Sequence, residues 1–439
     1  MRVSFLTASI AIALVATSLD ATAADADGTA TPATTARHRH HKAAQNAAPA
    51  PAGPNMQAEL AMRDQEIADL KNALASVEAK VGELEQRTNA QSDINVATQQ
   101  NVEKLQADAP RVDKLARLVN DTTVGGRVFI DISDFDREKN GVKSSTNGDG
   151  LDVKRGYLTV NHSFNDTWSA SLITDFNYAT ADSETQLFIK NLYLQGKFDD
   201  AFVFRAGALP MAWTPYVENF YGYRYVENTL IDKGVQATKQ SFGNTADWGL
   251  SAGGKLADGM LDYQANVVNG GGYKNPTRSK GMDFEGRVAF SPIDHTAIAI
   301  GGYSGDLGQD TETTPAKHTA SRVDAMVAYA DGNNRLGAEY FQANNWTAVT
   351  TIAKDKADGY SLWGSYGFTN AFSLFGRYDS IKPNKDTDAS LRDKYYNLGV
   401  QWDVRKGIKV AAVYKNDDLK DDANETRTKE FGIFGDISF

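Results

Sequence analysis

The stretch VGGRVFIDI (124–132) decides the fold, because its large side chains alternate with a period of two. Val124, Val128, Ile130 and Ile132 share one face, and Arg127, Phe129 and Asp131 share the other. Successive residues of a strand point to opposite sides of a sheet, so this pattern describes a strand between an apolar and a polar environment. The pattern repeats to the end of the chain. Trp168, Ala170, Leu172 and Phe176 alternate with Ser171 and Asp175; Phe284, Val288 and Phe290 alternate with Glu285 and Arg287; Phe431, Ile433, Ile437 and Phe439 alternate with Phe434, Asp436 and Ser438.

Such alternation fits a soluble sandwich or a membrane barrel. Three features favour the barrel. The alternating segments run about nine to twelve residues, the length of a tilted membrane strand. Short connections such as 164–166, 198–200 and 369–370 alternate with long polar ones at 135–150, 270–280, 305–319, 345–356, 381–392 and 416–426. Tyr, Trp and Phe gather near segment ends, as interfacial girdles do.

Seventeen segments look strand-like, but a single-chain barrel with both ends on one side needs an even number. Counting from both ends makes 231–240 the segment that cannot span, so 210–245 reads as one large inserted connection. Sixteen antiparallel strands remain, enough to enclose an aqueous channel.

Upstream of the barrel the chain changes character twice. Met1, Arg2 and the apolar run Val3–Ala16 lead to Ala21-Thr22-Ala23, the signature of a signal peptide over 1–23. Residues 24–55 are rich in Ala, Thr and Pro and include RHRHHK (37–42), a disordered basic tether with an affinity at most for anionic envelope polymers or, weakly, a metal. Over 56–120 a heptad register places Leu60, Ile67, Leu74, Val81 and Val102 at a, and Leu70, Val77, Leu84, Leu105, Val112 and Val119 at d. The stripe is interrupted by polar layers at Thr88, Gln91, Asn95 and Thr98. A single helix with so narrow an apolar stripe calls for self-association as a coiled coil, with the polar layers fixing register. These residues leave dimer and trimer open. Pro110 predicts a kink or break near the end of the rod.

Composition removes several functions. Cys is absent, which excludes thiolate nucleophiles, Cys-ligated metals and disulfides. Asp and Glu (56) exceed Lys and Arg (46), a formal net charge of −10 that argues against broad nucleic-acid binding. His162, His295 and His318 have no ligand spacing and form no Ser-His-acid grouping, so neither an enzyme nor a metal or cofactor site is expected.

The chain resembles the phosphate-selective porin O/P family of Gram-negative outer membranes. The resemblance rests on VKRGYLTVNHSF (153–164), NLYLQGKF (191–198), FVFRAGALPMAWTP (202–215), ENFYGYRYVENTLIDKGVQ (218–236), KLADGMLDYQANVVNGG (255–271) and the terminal EFGIFGDISF. It implies a porin β-barrel over 121–439, an outer-membrane location with the N-terminal segment in the periplasm, a homotrimer, and a pore narrowed by the loop at 210–245. It also implies that the terminal Phe439 acts in recognition by the barrel-assembly machinery. Surrounding lipid and lipopolysaccharide are expected partners, and the rod and tether could reach peptidoglycan.

Porins of this kind select anions through basic side chains in the lumen. Lumen-side parity marks Arg127, Arg155, Lys197, Arg205, Arg287, Arg322 and Arg377, and the inserted loop contributes Trp213, Tyr216, Glu218, Tyr221, Tyr223 and Arg224. The same parity marks Asp131, Asp175, Asp283, Glu285, Asp324, Glu339 and Asp436, so the field is mixed where a strict anion filter would be one-sided. A passive channel for small anions such as phosphate is the leading expectation. The alternatives are a carbohydrate or general porin, and a mainly structural link between outer membrane and peptidoglycan.

Overall fold

The computed structural model describes residues 56–179 and 184–439. The signal peptide and the tether expected over 1–55 lie outside these residues. Helix α1, Met56–Asp121, runs without interruption through Pro110, contrary to the break expected there. The missing N–H of Pro110 leaves one carbonyl without its helical donor, and the other bonds of the ladder carry the helix across it. Leu70, Leu84 and Leu105 on the a and d stripe are exposed, as are Thr88, Gln91, Asn95 and Thr98. Gln91 Nε2 donates to Asn95 Oδ1 at 3.1 Å along the helix.

The remainder is a closed antiparallel barrel of sixteen strands. In chain order these are β1 (Thr122–Lys139), β2 (Gly148–Ser163), β3 (Trp168–Ala179), β4 (Glu184–Lys197), β5 (Val203–Pro210), β6 (Ala246–Leu256), β7 (Leu261–Val268) and β8 (Asp283–Phe290). They continue as β9 (Thr296–Gly305), β10 (Ala320–Asp331), β11 (Asn334–Asn344), β12 (Lys356–Gly367), β13 (Phe372–Lys382), β14 (Arg392–Arg405), β15 (Ile408–Lys420) and β16 (Glu425–Ser438). A two-residue stub, Val142–Lys143, pairs with the top of β1 and does not span. Each strand pairs with its sequence neighbours, and β1 closes the ring on β16, from Arg127 opposite Ser438 to Lys139 opposite Thr426. Phe439 continues this seam through reciprocal backbone bonds with Gly126, each 3.0 Å.

Two connections expected to be long loops are largely strand. β1, the stub and β2 together cover most of 135–150, and β15 and β16 leave only 421–424 between them. Polar side chains hold these hairpins together beyond the apolar band: Lys143 reaches Asp136 at 2.9 Å, Arg427 reaches Glu138 at 3.5 Å, and Lys420 reaches Glu425 at 3.6 Å. Cross-strand charge pairs stabilise a ladder without needing a buried face.

The alternation places large apolar residues outward and polar ones inward. Ile132, Val323, Leu336, Leu362 and Ile433 are exposed on the outside, whereas Asp131, Arg322, Asp324, Glu339 and Arg377 are buried inside. No described helix is long and apolar enough to cross a membrane.

Candidate solute path through the barrel

The connection between β5 and β6 folds into the lumen. It contains α2 (Thr214–Tyr221), α3 (Leu230–Lys233) and a short 3-10 turn at Gln236–Thr238. Pro215 in the first turn of α2 presets its φ, and Gly222, in the left-handed region at φ 77°, ends it. One face of the loop is a hydrophobic core inside the barrel. Trp213, Tyr221, Tyr223, Tyr225, Ile231 and Phe242 pack on wall residues Phe129, Phe341, Trp363, Phe375 and Phe434. Tyr223 stacks on Phe375 with centroids 4.1 Å apart, and Tyr221 meets the edge of Trp363 at 6.0 Å.

Polar bonds fasten the loop at its backbone. The Ala212 N–H donates to Glu285 at 2.6 Å, and Arg287 Nε donates to the Ala212 carbonyl at 2.8 Å. Arg335 donates to the carbonyls of Asn219 and Phe220, both at 2.8 Å, where a cation also favours the C-terminal end of α2. Arg322 donates to the carbonyl of Phe242, Arg377 to that of Asn228, and Lys154 to that of Val226 at 2.6 Å. Lys233 lies 3.2 Å from Asp417 and 3.7 Å from Asp393, and Lys415 lies 3.7 Å from Glu227 and 3.0 Å from Glu430.

The seven basic candidates therefore stand in different positions. Arg287, Arg322 and Arg377 are buried beneath the loop, bound to it and to Asp262, Asp324 and Asp379 respectively. Arg127 binds Asp436 at 2.7 Å, Arg155 binds Asp175 at 2.7 Å, and Lys197 binds Asp200 at 2.8 Å near a short turn. Arg205 donates to the neutral Gln195 at 2.8 Å and lies over the ring of Tyr193. No carboxylate among the described residues lies within ion-pair distance of it.

The loop candidates divide likewise. Trp213, Tyr221 and Tyr223 belong to the packed face. Tyr216 lies under the Arg287 guanidinium, 3.7 Å from its ring centroid, and Glu218 and Arg224 pair with each other. Arg224 also holds Asn228 and, at 3.1 Å, Asp232, so one guanidinium gathers two of the loop's three carboxylates.

Two lumen lysines escape a strict alternation. A register shift between β1 and β2 sets Phe129 opposite Arg155 and Ile130 opposite Val153, leaving Lys154 in a bulge. A second shift between β3 and β4, with Ile173 opposite Asn191 and Thr174 opposite Ile189, leaves Lys190 in another. Each bulge turns the extra residue inward. Lys154 reaches the loop, and the Lys190 ammonium sits 4.8 Å from the Tyr157 ring centroid. Adjacent bases in VKRGY carried the signal, since alternation would put one of them on the lipid face, where charge is costly.

Open space remains between the loop and β4–β8. A cavity of about 520 Å³ lies beside α2, lined by Lys197, Arg205, Tyr216, Lys255, Asp262 and Arg287 among others. On the loop side, burial raises the Asp232 carboxyl above its usual range, while Arg224, Arg155 and Lys190 pull it back. Burial would likewise raise Glu227, but Lys154, Lys415 and Lys233 outweigh it and hold that carboxyl at about 2.

The barrel is similar to three solved outer-membrane proteins, each covering 72% of this chain. They are the channel DcaP of Acinetobacter baumannii (TM-score 0.53, 13% identity, 97% of that chain), an anion-selective porin of Comamonas acidovorans (0.51, 12%, 99%) and a loop-deletion form of OmpT of Vibrio cholerae (0.51, 16%, 99%). At these identities the likeness shows the fold. No curated protein sequence matches the chain. The family model described as phosphate-selective porin O and P matches residues 122–308, from β1 past β9 and through the inserted loop. That match and that fold make the chain similar to the phosphate-selective porin O and P family and to outer-membrane porins.

Proposed function

We propose that the channel passes small hydrophilic solutes with a preference for anions such as phosphate. The observation that carries this reading is the division of the lumen. The loop engages Arg287, Arg322 and Arg377, while Arg205 lines the space left open beside α2, and neither it nor Lys190 makes an ion pair among the described residues. Asp175 is already occupied by Arg155 and by the Tyr273 hydroxyl, which donates to it at 2.6 Å. A solute anion would meet cations whose charge is least cancelled, and steering of this kind requires no bond chemistry.

Glu218 and Asp232 on the loop favour a second reading, a general porin with a transverse field that also admits sugars or zwitterions. Planar-bilayer reversal potential under a KCl gradient, with phosphate and sugar block on the same channel, separates the two. A cation-selective, phosphate-insensitive current would sink the anion reading.

We also propose a homotrimer, with the exposed stripe of α1 forming a periplasmic three-stranded coil. α1 leads directly into the start of β1, on the side of the short turns, which fits a periplasmic helix. In this arrangement Phe439, at the same rim, would serve the barrel-assembly machinery, and the tether would serve contact with peptidoglycan.

A further inference from the structure

The cavity beside α2 has the size of a pocket for a small organic molecule, about 520 Å³, and lies in the short-turn half of the lumen, where β4 ends at Lys197 and β6 at Leu256. Its wall divides by chemistry. On one side Arg205 is fixed by a single bond, from Nε to Gln195 at 2.8 Å, and among the described residues its terminal nitrogens make no hydrogen bond or ion pair. They form a planar fork of the kind that grips a carboxylate or a phosphate with two bonds. Lys255, exposed in the same cavity, makes no ion pair among the described residues either. Lys197 and Arg287 are matched by Asp200 and Asp262, at 2.8 and 2.7 Å, so the cavity keeps an excess of positive charge.

The other side is built for hydroxyls. Asp262 gives Oδ1 to Arg287 and stays partly exposed, which leaves Oδ2 as an acceptor. A carboxylate in that place repels a second anionic group and accepts from an alcohol. Asn219 exposes its amide at the cavity, while its backbone carbonyl is held by Arg335 at 2.8 Å. Gln264 and the rings of Tyr216 and Tyr263 complete a wall that carries no further charge. An inorganic anion uses only the Arg205 side of such a space. A neutral sugar uses only the hydroxyl side and gains no charge-assisted bond.

We propose that this cavity is a subsite for an anionic sugar, with its carboxylate or phosphate on the Arg205 fork and its hydroxyls on Asp262 and Asn219. The assignment deepens the reading of the barrel as a channel that prefers anions, and rests on it. Lys255 adds attraction without a fixed contact, so solute still leaves readily, as a conducting pore requires.

The test uses the full chain in planar bilayers, with block of the single-channel current titrated by glucuronate, glucose 6-phosphate, glucose, acetate and inorganic phosphate. The expected result is that glucuronate binds about tenfold or more tightly than acetate and glucose, and glucose 6-phosphate about tenfold or more tightly than inorganic phosphate and glucose. Tight block by one of the two alone supports the subsite and assigns it to sugar acids or to sugar phosphates. Arg205→Gln should weaken both anionic sugars about tenfold and leave glucose unchanged. Asn219→Ala should weaken both anionic sugars about threefold and leave acetate and inorganic phosphate unchanged. Anionic sugars that bind no more tightly than acetate and inorganic phosphate would overturn the subsite, as would block by them that is indifferent to Arg205→Gln. Reversal potentials of the same channels test the anion reading separately: an anion-selective current without sugar discrimination sinks the subsite alone, and a cation-selective current sinks the reading beneath it.

Discussion

The indole Nε1 of Trp213 donates to Glu339 Oε1 at 2.8 Å, and both side chains are buried inside the barrel. The bond joins the residue that starts α2 to the wall strand β11, and Glu339 Oε2 has no hydrogen-bond partner of its own. Trp213→Phe keeps most of the apolar contact and removes this donor. Stranding a buried acceptor costs about 1–3 kcal/mol. The expected outcome is a lower thermal unfolding midpoint and a noisier open-channel current. A variant with parental midpoint and quiet current would show that the loop is fastened elsewhere.

Bases on the open wall and bases under the loop should separate in their effects. Lys190→Gln or Arg205→Gln removes a charge from the solute path, where a cation–anion contact in water-like surroundings at about 4 Å contributes on the order of 1 kcal/mol. The anion-to-cation permeability ratio should fall about threefold to fivefold for each, with little change in stability. Arg322→Gln removes the partner of Asp324 and Glu285, both buried, and should cost about 3–5 kcal/mol of stability. Reversal potentials and thermal midpoints on the same three variants decide this, and a selectivity shift confined to Arg322→Gln would reverse the assignment.

The barrel was legible because its two faces meet different solvents, so each strand carries the contrast written at 124–132. The loop's position was legible only as a failure of parity at 231–240, where Leu230 and Ile231 belong to a helix and face other loop and wall residues. Its partners were not legible, since a pairing such as Lys233 with Asp393 and Asp417 joins residues far apart in the chain and leaves no local pattern. Lys154 and Lys190 illustrate a different limit. A bulge changes parity by one residue, and a rule of strict alternation assigns both lysines to the wrong face. The Arg322 and Arg377 positions were readable as lumen-facing, but their burial beneath the loop depends on how 211–245 folds.

The helix offers an independent prediction. Leu70, Leu84 and Leu105 are between 61% and 71% exposed on a single helix, an arrangement that association would relieve. Leu84→Asp/Leu105→Asp in the full chain places charges in two apolar layers of the proposed coil. The oligomer should then dissociate at a lower temperature on semi-native gels, while the folded barrel keeps its conductance. An unchanged dissociation temperature would mean that the barrel surface alone sets the assembly.

Acid should loosen the loop through Glu227. Its carboxyl is held at about 2 against an ordinary value of 4.5, because Lys154, Lys415 and Lys233 outweigh the burial that would raise it. A depressed carboxyl pKa contributes stability that is fully present above the unfolded value and is lost as pH falls through the folded one. The window here runs from about pH 4.5 down to about pH 2, and the contribution is on the order of 3 kcal/mol. Glu227→Gln removes this term at every pH and leaves Lys415 with Glu430 alone. The parent should therefore be more stable than the variant at pH 7, with the difference shrinking as pH drops through that window. Other carboxylates titrate in both proteins and cancel in the comparison. Thermal midpoints of the pair at pH 7 and pH 2.5 measure the effect, and single-channel noise at the same two values reports whether the loop has come free. A difference in midpoint that stays constant with pH would show that Glu227 holds the loop by packing and not by charge.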